Sequence, residues 1–317
     1  MRRRSKTRQD GWGVWLLFAL PAIAVYAVFM AFPVINSMRL SFFSGSGYSL
    51  NNFVGFDNYV RLFADAEVSK RFWCAFKNNW IFFGITMLVQ NSFGLLFALI
   101  LTGKPLRGRA FYRTVIFIPV TLSVLVTGYI WKLILNPQWG ALNILLEKMG
   151  LGSLALPWLG DPRSALAVVT LVSAWQWVGM PTMMFMAGLE RIPEELFESA
   201  QIDGAGIWRS FARIKLPLLM PIVGIVTVLT FVGNFNAFDV VYAMEGANGP
   251  PDYSTDLMGT FFYRTGIAGQ HPVGIPDMGL GAAVAAVTFV VLFAGILLAN
   301  RLTGERDAVE PAEGEAL

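Results

Sequence analysis

Glu198 and Asp203 bracket the small residues Ser199 and Ala200, and Gly204 follows, in the stretch ESAQIDGAGIWRSFARIKLP at 198–217. These types suit a surface that another protein grips. Small side chains let a partner approach the backbone, and a carboxylate gives the contact a charge to read. Bond-making chemistry has little material. His271 is the only histidine and Cys74 the only cysteine, so no cluster has the spacing of a transition-metal site and no internal disulfide forms. The one Gly-Lys pair, Gly103-Lys104, is followed by proline, so the loop that cradles nucleotide phosphates is missing. The Gly-rich EGANGPPDYSTD opens no helix of the form a phosphate site needs. It reads as a turn-rich outer surface for a binding partner. No cofactor and no metal is expected.

A second group of residues is uncharged and sits inside long apolar runs: Gln90, Asn91, Asn234, Asn236 and Phe238, with Asp239 beside them. Amides can exchange hydrogen bonds with hydroxyl-rich solutes, and rings can pack on the apolar face of a sugar. Such contacts are weak enough to release what they bind. These six are candidate solute-pathway residues. The alternative for Gln90 and Asn91 is a bond to a neighbouring helix. Trp175, Gln176 and Trp177 lie at similar depth. The two indoles are two residues apart and face different ways on a helix, so packing between helices is the simpler role for both. Asn234 and Phe238 fall one turn apart if the helix is unbroken, and Asp239 needs water or a partner there.

The elements that must position these groups follow from composition. Apolar residues make up 55% of the 317 and charged ones 14%, too few charges to dress a soluble globule of this size. Six apolar segments are long enough to cross a bilayer as helices: Trp12–Phe32, Trp80–Leu101, Thr114–Leu133, Ala165–Gly188, Pro217–Val241 and Met278–Ala299. The first is too long for a cleaved signal and reads as a retained span. Fifteen of the 24 bases fall in the N-tail (Arg2, Arg3, Arg4, Lys6, Arg8), the loops after spans two and four, and the C-tail. That asymmetry places both termini in the cytoplasm and leaves 33–79, 134–164 and 242–277 outside. A net charge of +3 is too small to suggest nucleic acid. Asp239 is the only acid inside a segment, which disfavours a proton-coupled carrier, and no catalytic constellation supports a membrane-embedded enzyme.

Pro193, Glu194 and Glu195 open a short helix running to about Ile202. Gly204 permits a sharp turn, and a second helix starts near Gly206 and ends at Leu216-Pro217. A helix this short with apolar residues on more than one side must dock onto something. A lipid surface and a solvated linker are the alternatives. Glu198-Ser199-Ala200, Gly204 and then Ile214-Lys215-Leu216-Pro217 resemble the E-A-A loop of ATP-binding-cassette importer permeases, with Ser199 in place of one alanine. FVGFDNYVRLF, RGRAFYRTVIFIPV and the 238–267 stretch resemble the carbohydrate-uptake branch, of maltose and glycerol-phosphate type. The resemblance covers roughly 12–300. It implies an all-α, six-helix, type I importer permease fold in a bacterial inner membrane. It also implies that Glu198, Ser199, Ala200, Asp203 and Gly204 form the coupling contact with a separate ATPase. The chain would divide into a cytoplasmic N-tail (1–11), a first helix and outer loop (12–74), a permease core (75–300, coupling loop 190–216) and a C-tail (301–317). Its implied partners are a second, homologous permease subunit, two ATPase subunits, an extracytoplasmic solute-binding protein and membrane lipid. The chain itself would not be an enzyme.

Overall fold

The computed structural model describes residues 11–45, 52–103 and 106–303. The N-tail bases, Lys104 and most of the C-tail lie outside the described residues. Among the described residues four helices are long and apolar enough to cross a membrane: Leu17–Leu40 (first span), Ala66–Thr102 (second), Ile207–Phe235 (fifth) and Met278–Arg301 (sixth). Two bent pairs, each counted as one span, are the third and fourth: Arg109–Thr121 with Val124–Ile134, at 97°, and Ala165–Trp177 with Gly179–Leu189, at 46°. The architecture is all-α and polytopic, because a helix satisfies its own backbone groups in hydrocarbon. Among the described residues the only ladder is a two-residue antiparallel one, Phe43–Ser44 with Asn52–Phe53.

The bends have local causes. In the third span Pro119 withholds an amide N–H inside a 3-10 turn, Ile118–Thr121, and Leu122 is extended at φ −80°, ψ 146°. The carbonyl of Leu122 then accepts from Gln176 Nε2 at 3.0 Å. Gln176 is fully buried in the fourth span, so its amide serves this break. At the bend of the fourth span, Gly179 lies so close to the third that a Cβ would come within 2.9 Å of the Ile116 carbonyl oxygen. Three apolar clusters hold the bundle. Ala98, Leu101, Phe185, Met186, Leu189, Leu219 and Val226 join spans two, four and five near loop 190–216. Phe82, Val169, Val172, Val240, Val241 and Met244 join spans two and four to the short helix after span five, toward the opposite end, and Leu62, Phe72, Phe261, Leu280 and Val284 pack the start of the second span's helix against span six.

Four expectations change. The helix that carries the second span begins at Ala66, well before Trp80, with Asp65 accepting from the amides of Glu67 and Val68 as its cap. The fifth stops at Phe235 and does not reach Val241: Asn236 ends it at φ −94°, ψ 3°, and Asp239–Glu245 is a separate short helix. Asp239 therefore opens a helix, where its charge suits the dipole, and does not interrupt a crossing. Leu216-Pro217 does not separate the second cytoplasmic helix from the fifth span. The helix is continuous from Ile207, and a π turn at Phe211–Lys215 takes up the irregularity where Pro217 lacks its amide.

The EGANGPPDYSTD stretch is packed more firmly than a turn-rich surface. Asn78 Nδ2 donates to the carbonyls of Ser254 and Asp256, each at 3.0 Å. Asp256 and Arg264 then form an ion pair at 2.7 Å with both side chains fully buried.

Candidate functional site

Two regions meet along the fifth span. The first is a helical hairpin. Glu195–Ile202 forms its first arm, with Glu194 as the N-cap residue. The arm ends in a Schellman turn: Ala205 N–H donates to the Ala200 carbonyl at 2.8 Å and Gly204 N–H to that of Gln201 at 3.0 Å. Gly204 is left-handed at φ +74°, with nothing within 4 Å of a Cβ built there. The second arm, from Ile207, is the start of the fifth span. Lys215 Nζ lies 5.0 Å from the ring centre of Phe197, a cation–π contact that braces one arm on the other. No residue of the first arm is buried. The hairpin thus presents Glu198, Ser199, Asp203 and Gly204 to solvent, with Ala200 half-buried. Beside it, Arg109 pairs with Glu190 at 2.5 Å and ties the start of the third span to the foot of the fourth.

The second region is a cavity of about 350 Å³. Gln90, Asn234, Asn236, Phe238 and Asp239 all line it, together with Trp177. Most of the remaining wall is apolar and comes from spans four and five, including Met180, Met184, Val226 and Leu229. Asn91 is turned away: its Nδ2 donates to Thr230 Oγ1 at 3.1 Å, so it bonds the fifth span. Trp175 packs edge-on against Trp131, with centroids 5.4 Å apart, leaving Trp177 as the indole on the cavity. The break at Asn236 turns the chain around the cavity, which is how Asn234 and Asp239 come to share one wall. Asn234 is held by its backbone, whose carbonyl accepts from Asn79 Nδ2 at 2.9 Å. Its own Nδ2 is buried and has no partner within the protein. No lysine, arginine or histidine is among the lining residues; Asp239 is the only charge. Behind it, on the short helix, burial pushes the Glu245 carboxyl up to about 7 against the pull of Lys132.

From sequence, Ile202 stands out only as apolar surface, and Ile207 and Trp208 do not stand out at all. The signal is present as three large apolar side chains in an otherwise polar stretch.

A helical membrane bundle with a polar hairpin at one end and a small polar-capped cavity along the same helix has the build of a transport subunit. Residues 90–304 match the family described as binding-protein-dependent transport system inner membrane component, and the chain belongs to it. It is 34% identical over 280 residues to the probable ABC transporter permease protein YurN of Bacillus subtilis, covering 88% of this chain and 91% of that one. It is 32% identical over 255 residues to the lactose transport system permease protein LacF of Rhizobium radiobacter, covering 80% and 82%. Among solved structures, a bacterial ABC transporter involved in the import of the acidic polysaccharide alginate superposes with a TM-score of 0.78 at 25% identity. That match covers 95% of this chain and 99% of the other. The protein is a multi-pass permease subunit of an ABC-type importer, a non-catalytic component that couples to an ATPase, and it resembles permeases of carbohydrate and polysaccharide uptake.

Proposed function

We propose that this chain forms half of an inward pathway for an uncharged sugar or oligosaccharide, and that loop 190–216 is where ATP hydrolysis in a partner drives it. One observation carries the reading. The hairpin's second arm and the cavity wall are one helix, Ile207–Phe235, 29 residues long. At 1.5 Å per residue that is about 43 Å of unbroken lever. A pull on the hairpin would carry along this one helix to Asn234 at the far end, with the π turn at Phe211–Lys215 as the irregularity on the way.

On this account Glu198, Ser199, Ala200, Asp203 and Gly204 meet the ATPase. Closure of two ATPase subunits on nucleotide drags the hairpin, and the spans rock as rigid bodies between inward-open and outward-open states. Gln90, Asn234, Asn236, Phe238 and Asp239 would touch the solute in transit, with Asn91 bracing the wall behind them. The wall's chemistry favours a neutral cargo. An unpartnered amide and two rings suit hydroxyls and a pyranose face, while a cavity whose sole charge is a carboxylate repels a phosphate or a uronate. That argues for solutes like the lactose named for LacF, and against a glycerol-phosphate or an acidic polysaccharide in this half. A second, homologous permease subunit would complete the pathway, and a solute-binding protein would deliver the cargo to the end carrying the 242–277 segment. The bases around loop 190–216 support a cytoplasmic side for that loop and for both termini.

The test is uptake by the full complex reconstituted in liposomes, with binding protein outside and ATP inside. Neutral sugars should enter and uronates should not. Entry without ATP, or entry abolished by a protonophore, contradicts the proposal.

A further inference from the structure

Four of the eight buried polar atoms without a partner among the described residues gather in one place: Nε and Nη1 of Arg264, Nε of Arg71 and Oγ of Ser254. Three are N–H donors, and the fourth is a hydroxyl that can donate. The Asp256 carboxylate, which pairs with Arg264, is engaged on both oxygens. Its Oδ2 accepts from Arg264 Nη2 at 2.7 Å and its Oδ1 from Thr260 Oγ1 at 2.8 Å.

The Tyr253 ring brings the two arginines together. The guanidinium carbons of Arg71 and Arg264 lie 3.7 and 4.9 Å from its centre. A guanidinium stacked on a ring uses its face and leaves its N–H edges for acceptors. The backbone is bent to hold that ring in place. Asp252 and Tyr253 are both left-handed, at φ 49° and 60°, a costly conformation for two successive non-glycine residues. Asn78 Nδ2 then clamps the carbonyls of Ser254 and Asp256. Arg71 comes from the helix Ala66–Thr86 and Arg264 from the π turn Tyr263–Ala268, so the cluster joins two separate elements.

Charge is also out of balance. Arg264 and Asp256 are fully buried and offset each other. Half-buried Arg71 adds a second positive charge, and among the described residues no ion pair reaches it. Asp252 and Glu67 are exposed, and Glu67 approaches His271 instead, at 3.9 Å. Water satisfies donors but leaves the extra charge uncompensated, which is expensive in a buried place. An open cleft of about 480 Å³, with Asp252, Tyr253 and His271 on its wall, reaches this loop from the surface and gives a way in.

We infer that Arg264, Arg71 and Ser254 hold a small monovalent anion of the halide class beside the Tyr253 ring. The edge of an aromatic ring is its positive part, so an anion there meets the ring edge and the N–H edges together. Enclosure sets the size. A halide sheds its water readily, whereas sulfate and phosphate hold theirs strongly and carry more charge than the site lacks. Bound there, the ion ties the helix of the second span to the turn before span six and fixes the loop around Tyr253.

The experiment melts the assembled transporter in detergent while chloride replaces gluconate at constant ionic strength. Tm should rise saturably by a few degrees. Bromide should reproduce the rise and sulfate should not. Arg71→Gln removes one charge and one donor from a half-buried position and should flatten the response. Ser254→Ala keeps both charges and should raise the chloride concentration required several-fold. Anomalous scattering from crystals grown in bromide should give a peak in contact with Arg264 and Arg71. A wild-type Tm indifferent to chloride, or water alone where the bromide peak is expected, overturns the proposal. An undiminished chloride response in Arg71→Gln puts the ion elsewhere and overturns it as well. If Arg71→Gln fails to assemble, Ser254→Ala and the bromide map decide. Sugar uptake enters none of these readings, so the anion site and the transport reading fail separately.

Discussion

Replacing Gly204 with aspartate separates the hairpin's fold from its contact. In the free chain the side chain has room, because nothing lies within 4 Å of the position a Cβ takes. The only intrinsic penalty is the left-handed backbone at φ +74°, about 1–2 kcal/mol for an ordinary residue and less for Asp or Asn. That acts on an exposed turn, away from the clusters that hold the spans together. The variant should insert, elute as wild type on gel filtration and melt within a few degrees of it. Uptake should nonetheless fall by well over tenfold, because a carboxylate at the apex must be stripped of water to enter a cleft, and each 1.4 kcal/mol is a factor of about ten in binding. Gly204→Asn carries almost the same backbone cost without the charge and should be intermediate. The assay is ATP-dependent uptake per correctly inserted permease. Wild-type uptake by Gly204→Asp would refute the close approach at this glycine. Failure of Gly204→Asn to fold would refute the open-space argument.

Three further outcomes follow from the geometry. Asn234→Leu removes an amide nitrogen that has no protein partner, so stability should hold or rise while solute KM increases roughly fivefold, the value of about one hydrogen bond; unchanged kinetics would exclude Asn234 from the path. Asp256→Asn strands fully buried Arg264 and should cost about 3–5 kcal/mol, seen as a large drop in Tm in detergent; an unchanged Tm would contradict the ion pair. Glu245 keeps its proton to about pH 7 when folded but gives it up near 4.5 when free, so its contribution to stability is full at low pH and is lost as pH rises between those values. A Glu245→Gln chain should lack that slope, and a slope equal to wild type would remove Glu245 as its source.

Spans were legible where apolar runs were unbroken, and their ends were misread where pattern and backbone diverge. Ala66–Asn79 carries Lys70, Arg71 and Lys77, so it reads as loop, yet it is helix because its apolar side, Val68, Phe72 and Ala75, is buried against Phe261 and Leu280. At the end of span five, Phe238, Val240 and Val241 continue the apolar run across the break at Asn236, with no glycine or proline between 234 and 245 to mark it. The bases and the E-A-A spacing located the hairpin, since charge and small residues are local signals. The cavity depended on a chain reversal that no local signal announces. Gln90, Asn234, Asn236 and Asp239 stand out as polar residues within apolar runs, and the reversal brings Asn234, Asn236, Phe238 and Asp239 onto the wall that Gln90 completes from span two. Asn91 has the same polarity and bonds Thr230 instead, a difference set by helix rotation, which composition does not reveal.

The central claim is that loop 190–216 touches the motor. Site-directed crosslinking tests it most directly: Cys74 is changed to serine, Ser199 to cysteine, and the assembled transporter is treated with a short bifunctional reagent with and without ATP. A crosslink from position 199 to the ATPase subunit, changing in yield with nucleotide, is the predicted result. Labelling of position 199 by a membrane-impermeant reagent added outside, with no crosslink to the ATPase, would contradict it.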